Sequence, residues 1–87
     1  MPREIKTSSE LRPGDFYEDC AYHPCLCVSV DPADDEVRGI SLVDGSFPRA
    51  CSGQHCGLRQ LTLEEAIQWK LHGPADVDVE SAHRWWS

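Results

Sequence analysis

Residues 24–31, Pro-Cys-Leu-Cys-Val-Ser-Val-Asp, alternate between two kinds of side chain with a period of two. Leu26, Val28 and Val30 fall on one face and Cys25, Cys27 and Ser29 on the other, the pattern of a half-buried β-strand. The aliphatic face is expected to enter the core, which leaves both cysteines on the opposite face. The run DPADDE at 31–36 then supplies a proline and four carboxylates, a turn signal without the glycine and terminal-glutamate spacing of a calcium loop. A strand followed by a turn needs partners, and the neighbouring sequence offers them. DFYED at 15–19 reads as a short strand, and 36–46 as another with Ile40 and Leu42 inward. Asp44-Gly45 is a hairpin turn, FPRACS at 47–52 is a strand whose Pro48 suits an edge, and 57–61 is a short last strand.

A different periodicity takes over at 62. Thr62 is a helix N-cap, Glu65 completes a capping box, Gly73 is the stop and Pro74 lies beyond it, so a helix is expected over 62–73. Leu63, Ala66, Ile67, Lys70 and Leu71 share one face of that helix. Trp69 lies off the stripe, either at its far edge or exposed for a partner. Residues 1–13 carry no periodic apolar pattern and read as a flexible arm. Residues 74–87 form an acidic tail ending in Trp85-Trp86, with room for a helical turn over 80–86.

The succession of short strands and tight turns over roughly 14–61 resembles the small SH3-like β-barrels. The resemblance implies a mainly β chain, a five-stranded antiparallel barrel followed by the C-terminal helix. It also implies that the loop at 19–24 and the turn at 51–57 lie side by side at one end of the barrel. There Tyr17, Tyr22 and Phe47 would form the floor of a peptide groove, although Phe47 is equally suited to the core.

At 87 residues the chain is one domain, and a domain of this size buries only roughly 60–65% of its unfolded surface, so a covalent or metal staple would help it. The formal charge of −7, from 15 acidic and 8 basic residues, argues against direct nucleic-acid binding and favours a protein partner with a basic surface. No apolar leader or membrane-length run is present, so a cytoplasmic location and no membrane partner are expected.

The chemistry lies in two Cys-x₄-Cys units, CAYHPC at 20–25 and CSGQHC at 51–56, each enclosing a histidine. Five cysteines cannot all pair within one chain, and a reducing compartment disfavours structural disulfides. A structural zinc takes four nitrogen or sulfur ligands, commonly two from each of two turns. The expected set is Cys20, His23, Cys51 and Cys56, with Cys25 and His55 as alternates. The competing readings are cysteines acting as small buried hydrophobes, a Cys20–Cys51 disulfide, and a thiol nucleophile activated by His23 or His55.

These signals point to a non-catalytic binding or regulatory module, or an accessory subunit of a larger assembly. Tyr17, Tyr22, Trp69, Trp85 and Trp86 are its candidate partner-binding residues, tryptophan being enriched at binding hot spots. The alternatives are a thiol-dependent enzyme or redox protein, and an acidic inhibitor that mimics nucleic acid.

Overall fold

The computed structural model describes residues 2–52 and 58–86. The chain is mainly β, and its described residues form one antiparallel sheet and one α-helix. The strands are β1 (Arg3–Glu4), β2 (Phe16–Glu18), β3 (Pro24–Asp31), β4 (Glu36–Ser41), β5 (Cys51–Ser52) and β6 (Arg59–Leu61), arranged in the order β1-β6-β2-β3-β4-β5. The sheet is open: β1 and β5 are its edges, and among the described residues they do not pair with each other. The expected class therefore holds at the level of a mainly β chain with a C-terminal helix. The strands number six rather than five, and the described residues form no closed barrel.

The buried face of β3 is the opposite of the one its alternation suggests. Cys25 and Cys27 are buried, whereas Val28 is 42% exposed. A bulge explains the reversal. Cys27 pairs with Gly39 and Ser29 with Arg38, so Val28 has no partner of its own and the phase of the strand shifts by one residue. Cys25 and Cys27 before the bulge and Val30 after it then share one face with Val37, Cys51, Tyr17, Leu58, Ile5 and Leu11, the main core cluster. Leu26, which pairs with both Phe16 and Ile40, is left on the other face. In β4 it is Val37, Gly39 and Ser41 that are buried, and the expected inward residue Ile40 is 37% exposed. Gly39 has a specific reason to lack a side chain. A Cβ there would collide with the Tyr17 ring and the Leu26 carbonyl, and Tyr17 crosses this spot to donate its hydroxyl to the Arg49 carbonyl at 2.7 Å.

The helix α1 (Leu63–His72) starts and stops where its caps require. The Thr62 hydroxyl accepts from the Glu65 N–H, the Glu65 carboxylate accepts from the Thr62 N–H, and Gly73 ends the helix with φ of +79°. Its buried face is also not the expected one. Ala66 and Trp69 turn inward and pack with Leu61, Phe16 and Leu42 on the second face of the sheet. Leu63, Ile67 and Leu71 are 59%, 50% and 57% exposed. The sheet beneath α1 presents Glu18, a carboxylate only 3% exposed, and a buried carboxylate must find donors. Arg59 supplies two, at 2.8 Å each, and the Trp69 indole a third at 2.6 Å. A Leu/Ile face could not have supplied the third.

The segment 1–13, expected as a flexible arm, packs onto the sheet instead. β1 pairs with β6, a 3₁₀ turn follows at Ser8–Glu10, and Ile5, Ser8 and Leu11 are buried. The tail beyond Gly73 also folds back, with a 3₁₀ turn at Ser81–His83. The Trp85 indole donates to the Trp69 carbonyl at 2.9 Å, Arg84 donates to the Val79 carbonyl at 2.7 Å, and Trp86 lies against Gly73.

Candidate functional site

The turn joining β2 to β3 is organised by Asp19. Its Oδ1 accepts from the N–H groups of Ala21 and His23, at 2.9 and 3.0 Å. The Tyr22 N–H donates to the Asp19 carbonyl at 3.0 Å. These bonds hold Tyr22 in the left-handed region, with φ of +66°, where a side chain is uncommon and must be held by its surroundings. Cys20 is thereby directed at β5, and its Sγ lies 3.3 Å from that of Cys51. The two Cys-x₄-Cys units therefore do meet, through one cysteine from each. At 3.3 Å the sulfurs touch without an S–S bond, whose length is about 2.05 Å. Cys56 and His55 lie outside the described residues.

His23 stands beside this contact in a separate network. Its Nδ1 is 3.1 Å from the Ser41 Oγ and 3.0 Å from Arg49 Nη2. A guanidinium can only donate, so Nδ1 is the accepting nitrogen and the ring is neutral with its proton on Nε2. Burial holds the imidazole below its ordinary pKa, with Arg49 acting in the same direction and Asp19 and Asp44 opposing. The ring also meets Trp85 edge to face, centroids 4.8 Å apart. Arg49 further reaches Asp19 at 3.7 Å and Asp44 at 3.6 Å and donates to the Ser46 hydroxyl at 2.7 Å. Among the described residues, Cys20, His23 and Cys51 do not converge with one another as a three-ligand metal group.

Cys25, the alternate ligand, points into the core, its thiol 3.4 Å from the His23 carbonyl. Burial, and next the charge of Asp19, pushes its pKa up. Burial does the same to Cys27. Of the candidate partner-binding aromatics, Tyr17 and Trp69 are buried in the two clusters and Trp85 and Trp86 are half-buried in the back-folded tail. Tyr22 is 37% exposed and lines a cleft of about 400 Å³. Cys20, Ala21, Tyr22 and His23 line one side of it, and Asp78, Val79, Glu80 and His83 the other.

Sequence reasoning did not find the acidic side of this cleft, nor Arg49, Ser41 or Asp19. The one available signal was Asp19 itself, an aspartate opening a short connection, which is a turn-forming position. Among the described residues no helix is long and apolar enough to cross a membrane. Comparison of the chain with family models, with curated proteins and with solved structures returns no match in any of the three.

Proposed function

We propose that this chain is a small non-catalytic binding module, suited to be an accessory subunit of a larger assembly, whose recognition corner is the 19–23 turn with the tail folded against it. The corner is braced by a zinc ion on Cys20, Cys51 and Cys56, with His55, the alternate, as the fourth ligand in place of His23, which does not converge with Cys20 and Cys51. The observation that carries this reading is the 3.3 Å approach of Cys20 Sγ to Cys51 Sγ, which brings thiols from two separate turns to one place. The strand order supports the finer resemblance to SH3-like barrels, because β2 to β5 run as a meander and β6 returns beside β2. Burial of Cys25 and Cys27 holds their thiols protonated and takes these two out of any nucleophilic role. The net charge of −7 favours a partner with a basic surface.

Native mass spectrometry of protein purified under reducing conditions tests the brace. The expected result is an excess matching one zinc, lost to a chelator together with a fall in Tm. A bare mass with all five cysteines as free thiols, counted after unfolding, would remove the zinc. The same sulfur contact favours one other reading, a Cys20–Cys51 redox pair, and that would appear as a loss of two hydrogens per chain on mild oxidation with a disulfide reagent.

A further inference from the structure

The cleft beside Tyr22 has a chemistry of its own. We infer that it receives the side chain of a lysine or arginine from an extended segment of a partner protein, an inference that rests on the binding-module reading. Its volume of about 400 Å³ is at the small end of ligand sites and suits one long side chain with its flanking backbone. The lining divides by character. Val79 and Ala21 offer apolar surface for an aliphatic stem, the 20–23 turn contributes the Tyr22 ring, and the 78–83 segment contributes Asp78 and Glu80. Among the described residues no lysine or arginine lines the cleft; His83, which does, lies 3.9 Å from Glu80, and Arg84 lies 3.3 Å from Asp78 just outside it. Two carboxylates set against one guanidinium leave this edge an excess of negative charge, in a chain whose overall charge of −7 steers cations toward it.

The chain already shows how a guanidinium engages this edge. Arg84 donates through Nε to the Val79 carbonyl, places Nη2 3.3 Å from Asp78 Oδ1 and stacks 5.8 Å from the centre of the Trp86 ring. Carbonyl, carboxylate and aromatic face are the three elements that recognise such a cation. On the cleft side, Glu80 and the Tyr22 ring repeat two of them for an incoming side chain, with Asp78 shared between that side chain and Arg84. Asp78 and Glu80 are 97% and 84% exposed in their side chains, so they are accessible to a partner, and because Asp78 also pairs with Arg84, Glu80→Gln alone is the variant that leaves the tail's ion pair in place.

The experiment is a titration of the full ¹⁵N-labelled chain with acetyl-Gly-Arg-Gly-amide and acetyl-Gly-Lys-Gly-amide, with acetyl-Gly-norleucine-Gly-amide as the neutral isostere. The cationic peptides are expected to shift amides at 20–23 and 78–83 in a saturable, salt-sensitive way, and the norleucine peptide is not. Glu80→Gln alone is expected to weaken binding, and an Asp78→Asn/Glu80→Gln double variant to weaken it about five- to tenfold, as the loss of two solvent-exposed ion pairs implies. Tyr22→Leu is expected to weaken it separately. The inference is overturned by equal shifts from norleucine, by shifts spread over acidic stretches such as 31–36, or by an unchanged affinity in the double variant. Zinc content measured on the same sample separates the two readings. A zinc-loaded protein without an arginine response removes the cleft assignment alone, and arginine binding by a zinc-free protein removes the brace alone.

Discussion

The Trp69 indole donates to the Glu18 carboxylate at 2.6 Å, across a sheet–helix interface in which each residue is 3% exposed. The same carboxylate takes a bidentate pair from Arg59, which in turn holds Asp76 of the tail at 2.6 Å. One buried acid thus joins β2, β6, α1 and the segment that follows it. Trp69→Phe keeps the ring and removes the donor, so it is expected to cost about 1–3 kcal/mol of unfolding free energy. Trp69→Ala adds a cavity and is expected to cost about 3–5 kcal/mol. Urea denaturation measures both, and a neutral Trp69→Phe would mean that Arg59 alone satisfies Glu18.

The outward stripe of α1 makes the complementary prediction. Leu63→Gln, Ile67→Gln and Leu71→Gln each remove a side chain at least half exposed, and glutamine keeps the helix propensity. Each is expected to cost less than about 1 kcal/mol. A loss comparable to that of Trp69→Ala would show that this stripe is covered in solution.

Gly73 combines two demands. Its φ of +79° and ψ of 174° lie in a region essentially confined to glycine, and a Cβ there would enter the Trp86 ring. Gly73→Ala is therefore expected to cost about 1–3 kcal/mol and to displace the terminal tryptophans. A red-shifted tryptophan emission at unchanged far-ultraviolet circular dichroism would report that displacement. A stability and spectrum identical to the parent would refute it.

The depressed pKa of His23 has a direction in pH. The unfolded imidazole takes up a proton near its ordinary value of 6.5, whereas the folded one resists until lower pH. Stability is thus fully present above that value, declines as pH falls below it, and stops declining from this source once the folded pKa is passed. The carboxylates Glu65 and Asp76, lowered by hydrogen bonds from Thr62 and Arg59, lose their contributions only further into the acid range. His23→Gln is expected to flatten the stability profile between roughly pH 7 and 5. An unchanged slope in denaturation series across that window would point to another group.

The cysteines are expected to separate by accessibility. Cys25 and Cys27 are 0% and 2% exposed with their thiols pushed toward the protonated form, so iodoacetamide should reach them only after unfolding. Cys20, which is exposed, should be modified in the native state once chelator is present. Peptide mapping by mass spectrometry reads the order, and early labelling of Cys25 would contradict the packing described.

Much of the local structure was legible because local chemistry dictates it. The alternation of residues 24–31 located β3, which spans Pro24–Asp31, and the Thr62/Glu65 box with Gly73 located α1 at Leu63–His72. The two Cys-x₄-Cys units were recognisable as possible neighbours, and Cys20 and Cys51 do touch. Which face of each element is buried was not legible. A period of two or 3.6 defines a pair of faces without saying which one another element covers. In β3 one unpaired residue, Val28, changed the phase. In α1 the need of a buried Glu18 for donors turned Trp69 inward and left the aliphatic stripe outside. The cleft depended on still longer connections, since its acidic segment sits more than fifty residues from Tyr22 along the chain and reaches it only because the tail folds back over Gly73. Sequence by itself determined where strands, caps and turns begin, since those rest on backbone bonds between near neighbours. Tertiary structure decided the inward faces and the site, which depend on polar groups and surfaces that meet only when distant segments pack.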